Sequence, residues 1–122
     1  KALKTDKAPA AIGLQQAIEV NGFVFASGQI PLNPATGEFV EGGIKEQTRQ
    51  ALNNAREILR SAGLDLSNVV KTSVMLADIK YFGEMNEVYA EFFKRAIPAR
   101  SAFAVKDLPK GALVEVECIA AK

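Results

Sequence analysis

The predicted elements run β-β-α-β-α-β-β, an order that places this chain in the α+β class, as a mixed sheet carrying two helices on one face. Three observations carry that reading: an Asn21-Gly22 dipeptide between two short apolar runs, a helical repeat of apolar residues over 44–62, and strict alternation in the last strand. The chain has 122 residues, near the size of one domain, and no internal repeat or low-complexity linker divides residues 1–122.

Ala17 to Val20 and Phe23 to Ser27 have strand length, and Asn-Gly between them fits a two-residue type I′ turn. The following stretch, Gln29 to Gly37, holds two prolines and several turn formers and reads as a loop. From Ile44 to Ala62, Ile44, Ala51, Leu52, Ala55, Ile58, Leu59 and Ala62 recur at helical spacing while charged residues take the other side, and Gly63 is a stop signal. Val69 to Ala77 alternates as a strand, with Val70, Thr72, Val74 and Leu76 expected on one face and Lys71 and Ser73 on the other. Asp78 offers an N-cap to a second helix, whose stripe of Phe82, Met85, Tyr89, Phe92 and Phe93 reads as core. Two runs, Arg100 to Lys106 and Ala112 to Ala120, flank Pro109-Lys110-Gly111 and are expected to form an antiparallel pair.

In the last strand Val114, Val116, Cys118 and Ala120 share one face, which should meet the helices. Leu113, Glu115, Glu117 and Ile119 share the other, a mixture too apolar for plain exposure and too charged for a dry core. A symmetric interface with copies of the chain is the expectation for that face.

Composition removes whole classes of chemistry. Without histidine, and with Cys118 as the lone cysteine, the chain lacks the usual zinc ligands and any Ser-His-Asp or Cys-His relay. No metal or other cofactor is expected, and acid-base work falls to carboxylates, lysine, tyrosine or water. A net charge of +1 with interspersed signs gives no basic stripe, so nucleic acid is not an expected partner. No apolar run approaches membrane length and Lys1 to Lys7 hold no apolar signal core, which makes the cytoplasm the default expectation.

Arg100, in Pro98-Ala99-Arg100-Ser101, begins a strand beside a loop, where its planar fork can grip a carboxylate. Glu115 would meet it if the two strands put these residues on coinciding faces. Taken alone, each residue more often fills an ordinary role as a solvated or ion-paired surface residue. Ser27-Gly28-Gln29 suits either a close backbone approach to a ligand or a tight turn. Asn86 on the second helix offers a hydrogen-bonding amide or a solvated one.

Read together, Ser27-Gly28-Gln29-Ile30-Pro31, Glu46-Gln47-Thr48-Arg49-Gln50-Ala51, Val70-Lys71-Thr72, Asn86-Glu87-Val88-Tyr89, Pro98-Ala99-Arg100-Ser101 and Leu108-Pro109-Lys110-Gly111-Ala112-Leu113-Val114-Glu115 closely resemble the RidA (YjgF) family of reactive-intermediate deaminases. The order and spacing match over nearly the whole chain. The resemblance implies a chorismate-mutase-like fold assembled as a homotrimer, with a central barrel and three clefts between subunits. It implies hydrolysis of 2-enamino or 2-imino acids, such as 2-aminoacrylate and 2-iminobutanoate, to 2-keto acids and ammonia. It also implies that Arg100 binds the substrate carboxylate, Glu115 positions or activates water, and Ser27 and Asn86 line the cleft. Two departures stand out. Many members carry Ile-Gly-Pro-Tyr before the first hairpin, whereas here Ile12-Gly13-Leu14-Gln15 is one residue shorter and lacks the site tyrosine. The position often held by cysteine is Ala102, whose backbone N–H remains able to donate to a carboxylate. A non-catalytic module that binds small carboxylates or protein partners, with regulation as its output, is the alternative that the missing tyrosine favours. Some relatives have been described as ribonucleases or translation inhibitors, a reading that the absent histidine and near-zero charge weigh against.

Overall fold

The computed structural model describes residues 1–122. Along the chain run β1 (Ala2–Leu3), β2 (Ala17–Val20), β3 (Phe23–Gln29), α1 (Ile44–Arg60), β4 (Val69–Leu76), α2 (Phe82–Phe92), β5 (Ala99–Ala104) and β6 (Val114–Ala121). The strands form one six-stranded sheet in the order β1-β2-β3-β6-β4-β5. Neighbours are antiparallel except β4 and β5, which are parallel. Both helices lie on one face, as the sequence predicts.

Local chemistry sets most boundaries. Asn21 and Gly22 adopt φ of 51° and 81°, the left-handed pair that a type I′ turn requires. At the start of α1 the Gly43 N–H donates to the Glu46 carboxylate at 2.8 Å. At its end Gly63 takes φ 77°, and the Leu64 and Gly63 N–H groups donate to the Leu59 and Arg60 carbonyls, a Schellman motif. Asp78 caps a 3-10 turn over Ile79–Tyr81 through the Lys80 N–H, and α2 proper begins at Phe82.

The core lies between the helices and the sheet. Ala51, Leu52, Ala55, Ile58 and Leu59 of α1 are buried, as are Met85, Val88 and Tyr89 of α2. Beneath them sit Val24 of β3, Thr72, Val74 and Leu76 of β4, and Val114, Val116, Cys118 and Ala120 of β6. Each large aliphatic side chain so buried contributes about 1.5–3 kcal/mol of transfer free energy.

Two sequence expectations are overturned. The runs around Arg100 and Ala112 are not partners: β5 pairs with β4 alone, while β6 lies between β3 and β4. The continuous apolar face of β6 belongs at the centre of the sheet beneath the helices, and the more exposed β5 tolerates the edge. Val70 also leaves the face assigned to it and is 47% exposed. The register of β4 against β6 slips between Val69 and Lys71, so the extra residue lets Val69 as well as Thr72 reach the core.

The other face of the sheet has no layer above it. Paired register puts Ile18, Val20, Phe23, Phe25 and Phe103 there, each between 40% and 45% exposed, together with Glu115, Glu117 and Ile119. No helix of the chain is long and apolar enough to cross a membrane.

Candidate functional site

Arg100 sits near the start of β5, opposite Thr72 in register. Thr72 is buried on the helix side, so pleat parity sends the Arg100 side chain toward α2. There its Nη1 donates to the Asn86 side-chain carbonyl at 2.7 Å. The guanidinium carbon lies 4.6 Å from the ring centre of Tyr89 and 5.4 Å from that of Phe82. Tyr89 is held in turn by a 2.7 Å hydrogen bond between its hydroxyl and that of Thr72. Burial keeps the Tyr89 phenol above its ordinary pKa, so the ring remains a neutral platform under the cation.

None of the chain's ion pairs includes Arg100, and Asn86 is a neutral partner. The remaining N–H groups of the fork make no hydrogen bond within the chain. A half-buried, oriented and uncompensated guanidinium is the group that recognises a small carboxylate. Ala102 follows two residues later on the same face of this edge strand, half-buried against the core.

Glu115 occupies the opposite face, paired in register with Met75. The conditional meeting of Arg100 and Glu115 therefore does not occur within one chain, because β4 separates their strands and the sheet separates their side chains. Glu115 instead leans on the Ser27-Gly28 segment. The register of β3 against β6 slips between Ala26 and Gln29, which makes Ser27-Gly28 a bulge within the strand rather than a turn after it. A Cβ at Gly28 would overlap the Glu115 carboxylate and stand 2.9 Å from its Cδ, so glycine is required for the acid to lie there. Burial first, then the neighbouring Glu117, raises the Glu115 pKa from its ordinary 4.5.

Around Gly28 opens a cleft of about 320 Å³ bounded by Ile12, Leu14, Ser27, Ile30, Leu32 and Lys110. Ser27 borders this space, and its hydroxyl donates to the Gln15 carbonyl at 2.6 Å. Lys110 stands at φ 57°, a left-handed conformation rare for a residue with a Cβ.

Several positioning residues went unnoticed in the sequence. Asn54, 1% exposed, donates to the carbonyls of Ile30 and Leu32 at 3.2 and 2.9 Å and so fixes one wall of the cleft. Its signal was available: it is an asparagine on the apolar side of α1, with Ala51 and Ile58 a turn away on either side. Gln47 similarly accepts from the Leu113 N–H at 2.9 Å and anchors the approach to β6. Tyr89 and Phe82 belong to the aromatic stripe of α2, and nothing local in the sequence distinguishes a core aromatic from one that also carries a cation.

Residues 5–122 match the family model described as Endoribonuclease L-PSP. The chain belongs to that family, the YjgF/RidA family. A RidA-family relative from Mus musculus, called 2-iminobutanoate/2-iminopropanoate deaminase, is 50% identical over 98% of this chain and 90% of its own length. The Rid-family protein YyfA of Yersinia pestis superposes with a TM-score of 0.97 at 48% identity, over 100% of this chain and 98% of the other. TdcF of E. coli, solved with bound serine, superposes with a TM-score of 0.95 at 38% identity, over 100% of this chain and 98% of the other. The α+β fold of RidA-family structures is thus shared along the full chain.

Proposed function

We propose that the protein hydrolyses reactive 2-imino acids, and the 2-enamino acids that tautomerise to them, to 2-keto acids and ammonia. It does so in clefts between copies of the chain in a cytoplasmic homotrimer, whose sheets close a central barrel. The observation that carries this reading is the Arg100 guanidinium, oriented by Asn86 and Tyr89 and left without an acidic partner. The deaminase names of relatives at about 50% identity support it. So does the serine bound by the E. coli relative, a small molecule carrying a carboxylate and an amine on one carbon.

In this mechanism Arg100, with the Ala102 N–H, takes the substrate carboxylate, while Ser27 and Asn86 line the cleft. Glu115 comes from a second copy, because the two groups lie on opposite faces of each sheet. The exposed apolar residues of the open face supply the surface that such an assembly buries. 2-Aminoacrylate first gains a proton at C3 and loses one from nitrogen, giving 2-iminopropanoate. Water then adds its oxygen to C2 of the protonated imine, with ionised Glu115 accepting the departing proton. The carbinolamine nitrogen receives that proton, the C–N bond breaks to release ammonia, and the hydroxyl proton passes to Glu115 as the carbonyl forms. Protonated imines are already electrophilic, so orientation of water and carboxylate supplies much of the acceleration.

Generating 2-aminoacrylate or 2-iminobutanoate with a pyridoxal-phosphate-dependent dehydratase, and following keto-acid release, tests the reading. Release should accelerate over buffer, and Arg100→Ala should remove at least about 99% of the acceleration, as loss of a charge-assisted bidentate contact does. No acceleration, or acceleration undiminished in the variant, overturns it. The absence of the family tyrosine near Leu14 favours one competing reading, a binding module without turnover. Calorimetry showing tight 2-ketobutanoate binding with no hydrolysis would establish that alternative.

A further inference from the structure

We infer that the chain carries a second anion-binding site, apart from Arg100, in which Arg56 grips the phosphate group of a small ligand. The site is a cavity of about 290 Å³ bordered by α1, the C-terminal end of α2 and the 3-10 turn that leads into β4. None of the residues that orient Arg100 borders it.

Arg56 is half-buried and oriented by neutral partners. Its Nη2 donates to the Asn53 side-chain carbonyl at 2.6 Å, and its guanidinium carbon lies 5.4 Å from the ring centre of Phe92. These contacts hold the fork without compensating it, since no ion pair of the chain includes Arg56. Its Nε is shut off from solvent with no hydrogen-bond partner, so the cation is partly desolvated as well as unpaired. Two more cations outside any ion pair, Lys94 and Arg95, border the same space. Both carboxylates of the cavity are already engaged: Asp65 pairs with Arg60 at 3.0 Å and accepts from the Leu66 N–H, and Glu91 pairs with Arg49 at 3.4 Å. Lys94 and Arg95 follow the end of α2, where cations offset the helix dipole, but at the end of α1 that role falls to Arg60 rather than Arg56. A single carboxylate would leave two of the three cations unanswered. A phosphate group carries a charge of about −1.5 to −2 near pH 7 and fits an arginine fork bidentately, which leaves an oxygen for Lys94, Arg95 and the Ser67 hydroxyl.

Calorimetry at low salt with inorganic phosphate and with phenyl phosphate tests the site. Binding should persist in Arg100→Ala and weaken at least about tenfold in Arg56→Gln, the scale of a lost charge-assisted contact. Tighter binding of phenyl phosphate assigns the site to a phosphate monoester, and equal affinities assign it to free phosphate. No binding of either probe at about 10 mM, loss of binding in Arg100→Ala, or undiminished binding in Arg56→Gln overturns the inference. If circular dichroism shows Arg56→Gln unfolded, the double variant Lys94→Gln/Arg95→Gln, at two exposed positions, carries the test. It should weaken binding at least about threefold, and an unchanged affinity overturns the site.

Discussion

On the helix side of the sheet almost every side chain has a partner: α1 and α2 cover the alternating residues of β3, β4 and β6, and even the cation Arg100 rests on Tyr89 and bonds to Asn86. On the open side the same strands present Phe23, Phe25, Ile119 and Phe103 around two acids, with nothing packed above them. The helix side spends its side chains on holding one chain together. The open side holds the Glu115 carboxyl at a glycine bulge, its pKa raised by burial and by Glu117. The proposed chemistry draws one group from each side, and within one chain Arg100 and Glu115 lie on opposite faces of the sheet.

Substitutions sharpen that contrast. The largest effect on folding is expected on the covered side: Leu52→Ala, at a position 1% exposed, should cost about 2–5 kcal/mol in denaturant unfolding. A comparable loss from Phe103→Ala, on the open face, would break the distinction between the two sides. Next comes Gly28→Ala. The added methyl overlaps a carboxylate that can swing aside, so stability should change little while deamination falls about a hundredfold, the scale of a misplacement near one ångström. Thr72→Val removes the hydroxyl partner of Tyr89 and should cost about 1 kcal/mol, measured by thermal or urea unfolding.

Glu115→Gln should have the smallest effect on stability, and its sign is the informative part. Because the folded-state pKa is raised above 4.5, the stabilisation linked to the protonated acid is complete below that value and is lost as pH rises through the folded pKa. The glutamine variant escapes that loss. Its Tm relative to the parent chain should therefore rise as pH increases from 4.5 through the folded-state pKa, while its deamination rate stays below the parent's. A Tm difference constant with pH would mean that the carboxyl is not held in a desolvated place.

Much of this was readable in the sequence. Asn21-Gly22 fixed the hairpin, Gly63 ended the first helix, and alternation along β6 told which residues share a face. The motifs around Arg100, Glu115, Ser27 and Asn86 identified the family, while the Arg100–Asn86 hydrogen bond was not readable, because it depends on where α2 lies over β5. The bulges at Val70 and at Ser27-Gly28 were not readable, since a bulge exists only relative to the strand it opposes. Nor was the isolation of Arg100 from Glu115, which follows from β4 lying between their strands.

By itself the sequence determined what each short segment is and which side chains travel together, because hydrogen bonding in turns, helical periodicity and pleat parity depend on residues near one another in the chain. Only the tertiary structure decided who sits beside whom. Strand order is chosen by the burial of whole faces, and that choice put the central strand between the hairpin and β4, the guanidinium under the helices, and the carboxylate on the uncovered side.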